Sequence, residues 1–460
     1  MLICPTCIGA GRTIIKGGFL YEQQKMDGDL LGGIMAASLA APCSVSAAEK
    51  TTLTFWHAMG GTNGEVLQQI VDDFNASQDE IEIKAEYQGT YDDTITKLKA
   101  AMQSDSGLPD VCQMYDVGTK FMYDSGAVIP VEDKFESTGY DKSSVMDVIS
   151  SYYTVEGKQY AMPFNVSTPM LYYNKDVFEA AGLDPETPPT TYDEVLEDAK
   201  KIVESGAAPV GYSQAIYGWF FEQQLAGLGV TYGNNDNGRT EAVTAVDFDS
   251  NGGGLKVFDM WKKLYDSGYF EDYGTTTADT QTAFFSGQVG MIIESTAILK
   301  NAVDSSPFEV GTGYLPRIEQ NDEGGVIIGG GSLWLTDTGN EANEDAAWKF
   351  IEYITTPDVQ AKWSMGTGYF AINEKAYETD DMKAYLKKNP NFETAINQLK
   401  DSPVNCNTAG VLSGVQTEAR LTFNEIMPQV YDGKLTTQDA VDQLAASVNK
   451  AIENYNESIK

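Results

Sequence analysis

"TLTFWHAM", residues 52–59, "GEVLQQIVDDFNAS", 64–77, and "IEIKAEYQ", 81–88, follow one another, and their periodicities decide the fold. The first, rich in β-branched and aromatic residues, reads as a strand. The second places Val66, Leu67, Ile70, Val71 and Phe74 along one helical stripe, and the third alternates as a half-buried strand does. A helical "YDDTITKLKAAM" (91–102) and an apolar "DVCQMYD" (110–116) complete a β-α-β-α-β series. That order needs crossover connections and predicts an α/β layer with a mostly parallel sheet. Ligand crevices in such sheets open at the carboxyl ends of strands, which points to "YQGTY" (87–91) and "QMYDVGT" (113–119).

A second α/β portion begins near "FNVSTPMLYYNKD" (164–176). In "PPTTYDE" (188–194) two prolines break the chain, Thr191 can cap a helix, and Glu194 three residues on completes a capping box. "DAAWKFIEYITTP" (345–357) is amphipathic and punctuated by Pro357, and a last long helix starts near Thr436 or Thr437. No heptad seam, repeat or long low-complexity linker interrupts the chain, so short crossings must join its parts.

At 460 residues the chain exceeds what one core usually organises, so two domains are expected, and 42% hydrophobic residues with 11% aromatics can fill them. The formal charge is -36. Within residues 1–50, Arg12, Lys16, Lys25 and Lys50 cancel Glu22, Asp27, Asp29 and Glu49, so the acidity belongs to residues 51–460. Such a surface repels nucleic acid and anionic membranes.

Residues 30–48, "LLGGIMAASLAAPCSVSAA", combine a short apolar run with small residues, as a secretory signal and its cleavage site do, and the run is too short for a membrane span. Residues 1–48 therefore read as a signal region, with Met26 an alternative start. Cys43 invites a lipid anchor, but Pro42 before it departs from a lipobox and favours simple cleavage. "CPTC" (Cys4, Cys7) has no second pair of ligands and reads as incidental. Cys112 and Cys406 could pair in an oxidising compartment; a free buried thiol is the plainer reading of Cys112. His57, the single histidine, reads as a packed strand-end residue, since neither a metal site nor a nucleophilic triad forms around it. No catalytic, metal or cofactor residue is expected.

"LTFWHAM", "YQGTYDD", "QMYDVGT", "PFNVSTPMLYYNKDVFEAAGLDPETPPTTYDE", "IIGGGSLW" and "WSMGTGYFAIN" together resemble, in order, segments of the bacterial extracellular solute-binding proteins that deliver ligands to ABC importers. "FWH", "YNKDVFEAAGLDPE" and "IIGGGSLW" look most like the glycerol-3-phosphate-binding members. The resemblance implies an α/β, two-lobed periplasmic-binding-protein type II fold, a Venus flytrap with three interlobe crossings near residues 164–168, 328–332 and 367–372. One lobe would combine 51–164 with 333–366, the other 166–328 with 370–460.

Carried over residue by residue, the ligand positions fall on Tyr91, Asp116, Ser167, Trp219, Ser295, Gly330, Tyr369 and Arg420. Their chemistry suits a phosphate ester of a polyol. Hydroxyls and a glycine N–H donate to phosphate oxygens, a carboxylate accepts from hydroxyls, and an aromatic face stacks. Arg420, one of four arginines, would supply the permanent positive charge, its planar fork matching two phosphate oxygens. Without the resemblance, Arg420 reads as a surface partner of Glu418 or Glu425. The chain departs from the family pattern twice: Ile216 stands where a first tryptophan is usual, and Asp116 where a glutamate is.

The resemblance thus implies the substrate-binding component of an ABC importer, periplasmic or otherwise extracytoplasmic, monomeric and without catalytic activity. It would capture sn-glycerol-3-phosphate or a glycerophosphodiester such as glycerophosphocholine and serve permease subunits with a cytoplasmic ATPase. The alternative is a binding protein for a neutral mono- or oligosaccharide.

Overall fold

The computed structural model describes residues 50–104 and 107–460, so the expected signal region with Cys4, Cys7, Cys43 and Arg12 lies outside the described residues. The opening series forms as its periodicities predict: β1 (Thr51–His57), α1 (Gly61–Ser77), β2 (Ile81–Tyr87), α2 (Tyr91–Gln103) and β3 (Val111–Tyr115). Leu67, Ile70, Val71 and Phe74 are the residues that α1 buries. β1 pairs in parallel with both β2 and β3, with Phe55 opposite Val111.

The parallel character stops there. The sheet runs β2-β1-β3-β10-β4, where β4 is Val128–Ile129 and β10 is Gly329–Thr336; β10 lies antiparallel to both β3 and β4. A sixth strand, β5 (Met162–Ser167), also pairs antiparallel with β10. The expectation of a mostly parallel sheet is therefore corrected to a mixed one, because a strand returning from far along the sequence needs no helical crossover.

From Ser167 at the end of β5 the chain passes through Thr168 directly into β6 (Pro169–Asn174) of a second sheet. That sheet has the order β9-β6-β8-β7, with β7 Val210–Ser213, β8 Val289–Ser295 and β9 Val310–Gly313. Side-chain alternation divides its two faces. Met170, Tyr172 and Ile292 join the core that begins at Leu53 and Phe55, whereas Leu171, Tyr173, Met291 and Ile293 join a second core. That second core is covered by α3 (Tyr192–Ser205), α4 (Gly218–Gly227), α6 (Gln416–Tyr431) and α7 (Thr437–Ser458). Two cores on two sheets make the molecule two-lobed.

Local signals held well. Thr191 accepts from Glu194 N, and Glu194 closes the capping box ahead of α3; Thr436 caps α7. The amphipathic segment near 345 begins earlier, as α5 (Glu341–Ile354), and Pro357 does not end it. Pro357 instead opens the following helix at its first turn, where the missing N–H costs nothing. His57 is buried, its Nδ1 accepts from Met59 N, and burial lowers its pKa to about 4, as a packing residue. Cys112, buried in β3, and Cys406 are both free thiols. Among the described residues no helix is long and apolar enough to cross a membrane.

Candidate functional site

β3 and β5 deliver their carboxyl ends, and the antiparallel β10 its amino end, to the space between lobes, and Asp116 follows directly on β3. Arg420 reaches it from α6. Its Nη2 donates to Asp116 Oδ2 at 2.7 Å and to Glu222 Oε2 at 2.7 Å, while Nε donates to Glu222 Oε1 at 2.8 Å. Glu222 comes from α4, so one guanidinium ties β3 of the first sheet to two helices over the second core. All three side chains are buried: Asp116 is 5% exposed, Glu222 6% and Arg420 7%. Gln416, one turn before Arg420, donates a further bond to Glu222 Oε1 at 3.0 Å. α4 and α6 approach closely at Gly218, where a Cβ would lie 2.5 Å from the Arg420 Cα.

Electrostatics follows from this geometry. Burial alone would lower the guanidinium pKa, but Asp116 and Glu222 outweigh it and raise the pKa well above its ordinary value. Burial pushes the Glu222 carboxyl up against the pull of Arg420, and Asp116 adds to the rise. With all three ionised, the trio carries one net negative charge. Nη1 makes no hydrogen bond to any described residue, and the guanidinium carbon sits 6.0 Å from the Tyr217 ring centroid.

A second cluster gathers three more sequence-derived positions. Asn165 donates from Nδ2 to the Tyr91 hydroxyl at 2.7 Å, and the Tyr369 hydroxyl meets the same pair. Gly330 adopts φ +93 beside them, where a Cβ would come within 1.8 Å of the Asn165 carbonyl, so only glycine fits. Tyr91 stacks on Tyr115 at 5.1 Å, and the Tyr115 hydroxyl lies between Asp92 and Thr417 of α6.

Ser167 ends β5 opposite Gly329, and its side-chain hydroxyl has no hydrogen-bond partner among the described residues. Trp219 packs against Gly329 from the other lobe; its buried Nε1–H is likewise unpartnered. Ser295 ends β8 next to Thr296, whose N donates to Thr168 O at 2.8 Å beside Ser167, so Ser295 lies close to the end of β5. Its hydroxyl accepts from Ala297 N, closing a turn, and its strand partner is Pro169.

The structure thus joins Asp116 to Arg420, groups Tyr91, Tyr369 and Gly330 around Asn165, and sets Trp219 near Ser167. Arg420 pairs with neither Glu418 nor Glu425. Nor does it stand as a free positive charge: two carboxylates already hold its Nε–Nη2 edge, Asp116 through Oδ2 alone. Sequence reasoning missed Glu222, although Trp219 three residues earlier put it on the same helical face. It also missed Gln416, one turn from Arg420, Asn165, two residues along the strand from Ser167, and Glu294 beside Ser295. Burial raises the Glu294 carboxyl to about 7, against hydrogen bonds from Gln281 and Ser295 N.

The signature of the bacterial extracellular solute-binding protein family matches residues 69–394. The chain belongs to that family, the ligand-capturing components of ABC importers. It is 31% identical over 417 residues to the sn-glycerol-3-phosphate-binding periplasmic protein UgpB of Escherichia coli K12, spanning 89% of this chain and 94% of that one. Among solved structures it is similar to UgpB of Mycobacterium tuberculosis in complex with glycerophosphocholine, with TM-score 0.76, 20% identity and coverage of 88% and 99% of the two chains. It is also similar to a cyclic alpha-maltosyl-1,6-maltose binding protein of Arthrobacter globiformis, with TM-score 0.72, 26% identity and coverage of 88% and 100%.

Proposed function

We propose that the protein captures sn-glycerol-3-phosphate or a glycerophosphodiester such as glycerophosphocholine outside the cytoplasm. It delivers the ligand, as a monomer and without chemical conversion, to permease subunits driven by a cytoplasmic ATPase. The lobes in this reading are 51–164 with 333–366 and 166–328 with 370–460. The observation that carries it is the unspent Nη1 edge of the buried Arg420, oriented by two carboxylates and flanked by tyrosines. A guanidinium whose orientation is already fixed loses little entropy on gripping a phosphate oxygen. The orphan Trp219 N–H and Ser167 hydroxyl supply further donors. Identity to the glycerol-3-phosphate-binding proteins across most of both chains supports the same reading.

The trio's net negative charge favours a second reading, a neutral mono- or oligosaccharide whose hydroxyls meet the carboxylates and whose ring stacks on Trp219. A thermal-shift panel separates the two, because a ligand that binds only the folded state raises its melting temperature. Glycerol-3-phosphate or glycerophosphocholine, not glucose or maltose, is expected to raise it, and Arg420→Ala to remove the rise. A response to the sugars alone would replace the first reading with the second.

A further inference from the structure

We propose that Glu222 makes capture of an anionic ligand proton-linked: as a phosphate oxygen binds the free edge of Arg420, Glu222 takes up one proton from solvent. The inference rests on the phosphate-ester reading and assigns its regulation.

Two carboxylates and one guanidinium, all more than nine-tenths buried, already hold one excess negative charge. An incoming phosphate would make that excess larger in a poorly solvated space, where uncompensated charge is most costly. One proton restores the original balance. Glu222 is its receiver on two grounds. Burial already raises its affinity for a proton. Beside it, the amide oxygen of Gln416 is a buried acceptor with no hydrogen-bond partner among the described residues, although the amide nitrogen donates to Glu222. Rotation of that amide by half a turn would offer its oxygen to a protonated Glu222 O–H and satisfy both groups. Asp116 hydrogen-bonds no side-chain amide among the described residues: its Oδ2 takes the Arg420 bond.

The charged and titratable groups that face Glu222 are few. Arg420 comes from α6 and Asp116 from the end of β3. Tyr217 precedes α4, and burial pushes its hydroxyl up to about 12 despite Arg420. The Tyr232 hydroxyl lies beside the Gln416 amide, and burial raises it too. Burial thus disfavours the ionised form of both phenols. Glu294 also raises the Tyr217 hydroxyl, as Asp116 and Glu222 do.

The test is isothermal titration of the full mature chain with sn-glycero-3-phosphoglycerol, a diester whose single negative charge is fixed across the working pH range. Buffers of different ionisation enthalpy report the protons taken up. Wild-type protein is expected to take up close to one proton per ligand, and its affinity to rise by up to about tenfold per unit of falling pH. Glu222→Gln keeps the hydrogen-bonding shape but removes the excess charge. It should abolish the uptake and tighten binding at about pH 8 by about tenfold. Binding by the wild type without proton uptake, or uptake undiminished in Glu222→Gln, would overturn the inference while leaving the phosphate-ester reading intact. Since the wild-type measurement stands alone, a misfolded variant does not rescue it. Failure to bind this diester overturns the inference as well, and failure of glycerophosphocholine and glycerol-3-phosphate alongside it removes the reading beneath.

Discussion

Arg420 is buried and Arg239 half-buried, and the chain treats them in opposite ways. Arg420 is matched with two carboxylates and keeps one edge unspent. Among the described residues Arg239 has no carboxylate partner. Its Nε donates to Gly410 O at 3.0 Å, Nη1 to Tyr152 O at 2.9 Å, and Nη2 to Ala409 O, while its guanidinium carbon lies 5.1 Å from the Tyr152 ring centroid. Burial lowers the Arg239 pKa, whereas counter-charges raise that of Arg420. An arginine whose nitrogens are all committed to backbone carbonyls is a clamp. One steered by acids, with donors to spare, is a site. Counting arginines in the sequence could not separate them, since the distinction lies in their partners.

The largest expected effect comes from Arg420→Ala, which strands two buried carboxylates. It should cost about 3–5 kcal/mol in urea denaturation and abolish phosphate-ester binding. A loss under about 1 kcal/mol would erase the contrast with Arg239. Glu294 extends the comparison to a buried acid with no cation partner among the described residues. Its carboxyl is raised in the folded state from the ordinary 4.5 to about 7, so the folded protein binds the extra proton. Stability from this group is therefore full below about 4.5 and falls as pH rises through about 7, by at most about 3 kcal/mol. Glu294→Gln should flatten that part of a melting-temperature profile against pH; an unchanged profile would show that Glu294 does not carry it.

Arg239→Ala should cost about 2 kcal/mol, since three carbonyls lose a donor. Ligand ranking should not change, and calorimetry that finds phosphate esters selectively weakened would make Arg239 part of the site. Smallest is Tyr115→Phe, which removes the hydroxyl linking Asp92 to Thr417 across the lobes. About 1 kcal/mol of stability is expected to go, read by chemical denaturation, with the Tyr91 stack retained.

Much of the fold was legible because periodicity acts over short distances. The stripe on α1, the alternation in β2 and the capping box before α3 each needed fewer than twenty residues to read. Strand β10 was not legible as an antiparallel partner of β3, since pairing between residues so distant leaves no local pattern. The same reasoning separates the site residues. Resemblance placed Asp116 and Arg420, and the structure joins them. Glu222 lay hidden in "YGWFFEQ", where an acid amid aromatics gives no hint of a partner 198 positions away. The net charge of the crevice, which governs what it can hold, became visible only with that third group in place.

The central claim is that the free edge of Arg420 meets a phosphate oxygen. A crystal structure of the protein with glycerophosphocholine bound tests it most directly. The account predicts a phosphate oxygen about 2.7–2.9 Å from Arg420 Nη1, with Glu222 still holding Nε. A ligand bound elsewhere, or a phosphate that leaves Nη1 untouched, would contradict it.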